Sequence, residues 1–120
     1  MTSGFAEELA RAHANGVVGS RLVSASARVR VWHIHLEPGE RLPFHCHVLD
    51  YFWTTVAAGV ARTVLPDGSF ADHSCEVGES EHIFLRAGER IVHALENVGD
   101  TPLGFVTVEL LDSANPPLPI

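Results

Sequence analysis

The chain has 120 residues, is 46 % hydrophobic and carries a formal net charge of −7. Its eight basic residues are all arginine, which excludes Schiff-base, pyridoxal-phosphate and phosphate-loop lysine chemistry. The acidic balance lacks the basic patch that nucleic-acid binding needs, and no run approaches the ~20 apolar residues of a membrane span.

A chain of this length folds most simply as one domain with a real core. The two cysteines, Cys46 and Cys75, are too few for a disulfide scaffold. Residues 1–15 carry Glu7, Glu8 and Arg11 without a long apolar run and do not read as a signal peptide. The expectation is a cytoplasmic protein with reduced thiols, bound to neither nucleic acid nor membrane.

Residues 3–14 predict a short helix: Ser3 can cap it, Glu7 and Glu8 lie in its early turns, and Phe5, Leu9 and Ala12 share a face. Asn15-Gly16 stops it. Strand signals then dominate. Residues 28–36 (RVRVWHIHL) alternate strongly, with Trp32, Ile34 and Leu36 as the inward set and His33 and His35 outward. Residues 42–48 and 50–57 predict two further strands. Residues 60–65 and 69–76 flank Pro66-Asp67-Gly68-Ser69, a strong turn signal. Residues 81–86 and 90–96 flank Ala87-Gly88-Glu89, which suits a hairpin. The last long strand is 103–111, and the proline-rich tail cannot join a central strand. The pattern divides into a helix over 1–15, a barrel over 16–112 and an extended tail over 113–120. With no crossover helices for parallel units, the fold class is all-β, an antiparallel jelly-roll sandwich or barrel.

Histidines carry the chemistry. In Pro43-Phe44-His45-Cys46-His47, residues two apart on a strand share a face about 6.5–7 Å apart, so His45 and His47 can converge on one metal while Cys46 points away. His93 lies between Ile91 and Leu95 on an apolar face, where an unpaired polar group costs several kcal/mol. Two readings stand: a metal shared with His45 and His47, or a hydrogen-bonded core histidine. His13 and His73 read as surface residues, and His82 as a reserve ligand. No Gly-x-Ser-x-Gly nucleophile motif occurs, and nothing marks Cys75 as reactive.

The spacing Gly39, His45-Cys46-His47, Phe52, Gly59, followed by Gly78, Ala87-Gly88, His93-Ala94-Leu95-Glu96-Asn97 and Gly99-Asp100-Thr101-Pro102-Leu103, resembles the two motifs of the cupins. It covers roughly residues 28–110. The run His45-Cys46-His47-Val48-Leu49-Asp50-Tyr51 is similar to the His-x-His-x-x-Asp-Tyr of small single-domain cupins associated with β-alanine degradation. The resemblance implies a double-stranded β-helix, the jelly-roll barrel of the RmlC-like superfamily. It transfers His45, His47 and His93 as ligands of one divalent first-row transition metal: Fe, Ni, Zn, Mn or Cu. The family's glutamate ligand is missing at 51 and 52. Asp50 stands in as a fourth ligand or as acceptor for a histidine N–H. Tyr51 is the candidate catalytic proton donor.

The implied function is a metal-dependent, dioxygenase-like reaction on a small organic acid or thiol. The alternative is a non-catalytic small-molecule-binding or accessory cupin. Arg62 and Arg86 are candidate carboxylate anchors. Trp32, Leu36, Phe44, Trp53, Phe84, Ile91 and Leu95 are the expected pocket walls. The apolar-leaning outer face of strand 28–36 predicts a homodimer, or else a surface covered by the N-terminal helix.

Overall fold

The computed structural model describes the backbone of residues 2–120 and the side chains of residues 5–120. The Ser3 side chain, the expected helix cap, lies outside the described residues. One helix, α1 (Thr2–Ala12), precedes nine strands: β1 (Arg21–Ala25), β2 (Val29–Leu36), β3 (Arg41–His47), β4 (Asp50–Ala57), β5 (Gly59–Val64), β6 (Phe70–Cys75), β7 (Ser80–Ile83), β8 (Ile91–Asn97) and β9 (Leu103–Leu110). Among the described residues no helix is long and apolar enough to cross a membrane.

The strands form a five-stranded sheet, β1-β2-β9-β4-β7, and a four-stranded sheet, β3-β8-β5-β6. Every pairing is antiparallel. Only β1–β2 and β5–β6 are consecutive neighbours within one sheet; every other connection crosses to the opposite sheet. That alternation is the jelly roll, and it excludes the hairpin expected around Gly88. There β7 pairs with β4, while β8 pairs with β3 and β5. Residues 84–90 therefore carry the chain between sheets. The Asp67-Gly68 turn does join β5 to β6: Gly68 takes φ +89°, and Asp67 accepts the Ser69 N–H at 2.9 Å. β1 is an addition to the expected strands. It is an edge strand in which only Leu22 is half-buried, so it has no apolar period.

The core lies between the sheets. Ile34, Leu36, Leu103 and Phe105 meet Leu42, Ala61 and Cys75 across it. Trp32, Ile34 and Leu36 are buried as expected, with His33 half-buried and His35 exposed. The helix does not cover the outer face of β2, the alternative to a dimer contact there. Its Leu9 and Ala12 pack on Phe44, Val64, Val92 and Ala94, the outer face of the four-stranded sheet, rather than on β2. The apolar side of the amphipathic helix is thereby buried against the apolar outer residues of β3, β5 and β8. The tail is tied down by side chains. Asn115 donates to Val48 O at 2.9 Å and Arg86 O at 3.0 Å, and accepts from the Gly88 N–H at 2.8 Å.

Candidate metal centre

Strand β3 sets the centre. Pro43 has no N–H, and the pairing of β3 with β8 slips between Leu42 and His45. The bulge leaves the Phe44 N–H without a strand partner, and the helix supplies one: Glu8 accepts it at 2.8 Å. Glu8 also takes two bonds from the Arg41 guanidinium, each 2.8 Å, which hold its carboxyl below the usual range. After the slip, His45 and His47 face inward, with His45 opposite His93 and His47 opposite Ile91 on β8.

The three imidazoles converge. Ring centroids lie 5.0 Å apart for His45–His47, 4.8 Å for His45–His93 and 5.1 Å for His47–His93, all edge to face. One ligand nitrogen from each falls within 4.8 Å of the other two. Burial pushes His45 down to about 4 and His93 to about 3, and holds His47 well below the ordinary histidine value. All three are neutral at pH 7, the form that binds metal. His45 Nδ1 lies 2.7 Å from the Pro43 carbonyl, which only accepts, so Nδ1 carries the hydrogen and Nε2 keeps its lone pair. His47 Nδ1 is buried with no hydrogen-bond partner. An orphaned group of that kind costs about 1–3 kcal/mol unless something binds it. Donor type, protonation and the orphaned atom all fit a transition metal.

Tyr51 stacks on His47, centroids 3.9 Å apart and planes within 12°. Burial raises its phenol above the ordinary tyrosine value, so it remains a proton donor. Asp50 does not join the histidines. β3 ends at His47 and β4 opens in the other sheet, and the Asp50 carboxylate is spent on the Leu85 N–H at 2.8 Å. The group holds three histidines and no carboxylate.

The histidines form one wall of a cavity of about 590 Å³. Trp53, Ile91 and Leu95 line it, as do Val18, Phe105 and Thr107, which sequence reasoning did not mark. The remaining expected wall residues lie elsewhere. Trp32 faces inward but gives its Nε1–H to Glu109 at 2.7 Å, and Leu36 fills the core beside Leu103. Phe44 points the opposite way from His45, under the helix. Phe84 is 73 % exposed in the connection between sheets. Arg62 lies on the outer face, paired with Asp72 at 2.8 and 3.0 Å and stacked over Phe70. Arg86 is exposed in the turn after β7. No arginine lines the cavity. His82 is also turned outward, stacked on Phe52, and is no reserve ligand.

Glu109 is a buried carboxylate that the sequence did not expose, 3 % accessible and raised above the usual range by burial. Both faces of β9 look apolar in sequence, which hid its direction.

A family description, mannose-6-phosphate isomerase C-terminal, matches residues 15–113. No curated protein matches the sequence. A cupin domain from Bordetella pertussis is 24 % identical, with a TM-score of 0.65 over 75 % of this chain and 88 % of that one. A double-stranded β-helix protein from Klebsiella pneumoniae is 24 % identical, with a TM-score of 0.60 over 78 % of this chain and 76 % of that one. The polyketide cyclase RemF from Streptomyces resistomycificus is 18 % identical, with a TM-score of 0.54 over 73 % of this chain and 58 % of that one. These likenesses show the same fold. Two facing antiparallel sheets in cupin order, and a family match across residues 15–113, place the chain in the mannose-6-phosphate isomerase C-terminal family of small cupins.

Proposed function

We propose that this cupin holds one divalent first-row transition metal on His45, His47 and His93 and acts on a small, mostly apolar molecule bound beside it. The observation that carries the reading is the convergence of three neutral imidazoles on the wall of an apolar cavity. A bound metal supplies Lewis acidity or a platform for O₂.

The chain's own residues do the rest. The Pro43 carbonyl fixes the tautomer of His45. Tyr51, held flat against His47, offers a neutral hydroxyl to a ligand or a leaving group. Trp53, Ile91, Leu95 and Phe105 exclude water and favour an apolar body. The charged lining residues are acidic, Glu79 and Glu81. This favours a neutral ligand with one metal-seeking donor, such as a thiol, phenol or enol, over an organic acid. It also disfavours a sugar phosphate, which needs cationic donors at its phosphate.

The reading is tested by O₂ uptake of the Fe(II)-loaded chain across small thiols, phenols and carboxylates. Uptake with neutral donors but not with carboxylates is expected. Flat traces throughout exclude the dioxygenase chemistry. The second reading, a non-catalytic binder, is favoured by the all-histidine set with no carboxylate beside it.

A further inference from the structure

A second group of metal-ligating side chains lines the same cavity. His73 and Cys75 are two residues apart on β6 and share its inward face. Glu79 returns to them through the turn Glu76–Glu79, where Gly78 takes φ +90° and Glu79 N–H bonds Glu76 O at 3.0 Å. Its Oε2 lies 2.5 Å from His73 Nε2. One ligand atom each from His73, Cys75 and Glu79 falls within 4.8 Å of the others. Cys75 is buried, while His73 and Glu79 reach solvent. In the four-stranded sheet β6 lies three strand spacings, about 14 Å, from β3 with His45 and His47, and two spacings, about 10 Å, from β8 with His93. The two groups are separate sites on one cavity.

We propose that His73, Cys75 and Glu79 form a second metal site, selective for a borderline-soft divalent ion such as Zn²⁺. Imidazole, thiolate and carboxylate are the donors zinc takes in open sites that keep a position for water or ligand. Cys75 binds as the thiolate and releases one proton to solvent. His73 binds through a ring nitrogen that carries no hydrogen. No redox step is involved. The site does not rest on a metal at His45, His47 and His93.

Co(II), a spectroscopic stand-in for zinc, distinguishes the two groups because only this one contains sulfur. The chain carrying His45→Ala, His47→Ala and His93→Ala is expected to bind one equivalent with a thiolate-to-cobalt charge-transfer band in the near ultraviolet. If that variant fails to fold, the wild-type chain gives the same band on filling to two equivalents. Cys75→Ser abolishes the band, Cys46→Ser preserves it, and His73→Ala or Glu79→Gln weakens binding at least about tenfold. No band at two equivalents, a band that survives Cys75→Ser, or one indifferent to His73→Ala overturns the proposal.

Discussion

Leu42 and His45 both face the barrel interior although three positions separate them on one strand. Strict alternation forbids this, and the slip at Pro43-Phe44 resolves it. Without the bulge, a strand that buried Leu42 would turn His45 and His47 to the outside. The helix stabilises the bulge through Glu8, which satisfies the freed Phe44 N–H. A surface helix thereby fixes the direction of two metal-ligating side chains.

Glu8→Ala tests that link. It removes the Arg41 pair and the partner of the Phe44 amide at once. The pair is partly exposed and worth at most about 1 kcal/mol, and the stranded amide adds about 1–2. Urea unfolding should show a loss of about 2 kcal/mol, with metal affinity reduced as well. Unchanged metal affinity would mean that the bulge holds without the helix.

The metal-free protein should lose stability as the pH falls below about 6.5. The unfolded chain protonates its histidines near that value. The folded chain keeps His45 neutral to about 4 and His93 to about 3. Above 6.5 these residues contribute no pH dependence. Below it, each costs about 1.4 kcal/mol per pH unit until its folded value is reached. Glu109, raised by burial, acts in the opposite sense, one group against several. Chemical unfolding in chelator at pH 7.5 and 5.5 checks this, and equal stability at the two values contradicts it.

Tyr51→Phe keeps the ring stacked on His47 and removes only the hydroxyl. Metal content should stay at the wild-type level, and ligand affinity or turnover should fall about tenfold. Loss of metal instead would assign Tyr51 to holding the site rather than to the ligand.

Asn97 is fully buried and ties three segments together. It donates to Leu36 O and Thr101 O, each at 2.8 Å, and accepts the Gly99 N–H at 2.9 Å. Asn97→Ala leaves all three unsatisfied and should cost about 3 kcal/mol in thermal or urea unfolding. A cost below about 1 kcal/mol would show that water replaces the amide.

Much of this was legible in the sequence because periodicity is local. The two-residue spacing of His45 and His47, the position of His93 between Ile91 and Leu95, and the Asp67-Gly68 turn all follow from nearest-neighbour geometry. What failed depends on distant contacts. The bulge needs Glu8, thirty-six residues away. Arg62 looks free in sequence, but its partner Asp72 lies across a hairpin. Asp50 becomes a ligand only if a bulge or turn after His47 brings it to the ligand face, and its partner in space is instead the amide of Leu85. The group at His73 was invisible because Glu79 reaches it only through the turn at Gly78.

The most direct test of the account is metal analysis of tag-free protein, as purified and after reconstitution, for the wild-type chain and His47→Ala. Cys75→Ser in both backgrounds removes the second group from the measurement. The account predicts one equivalent of a first-row transition metal with His47 present and a loss of at least about tenfold in affinity without it. No bound metal after reconstitution, or equal binding with and without His47, would contradict it.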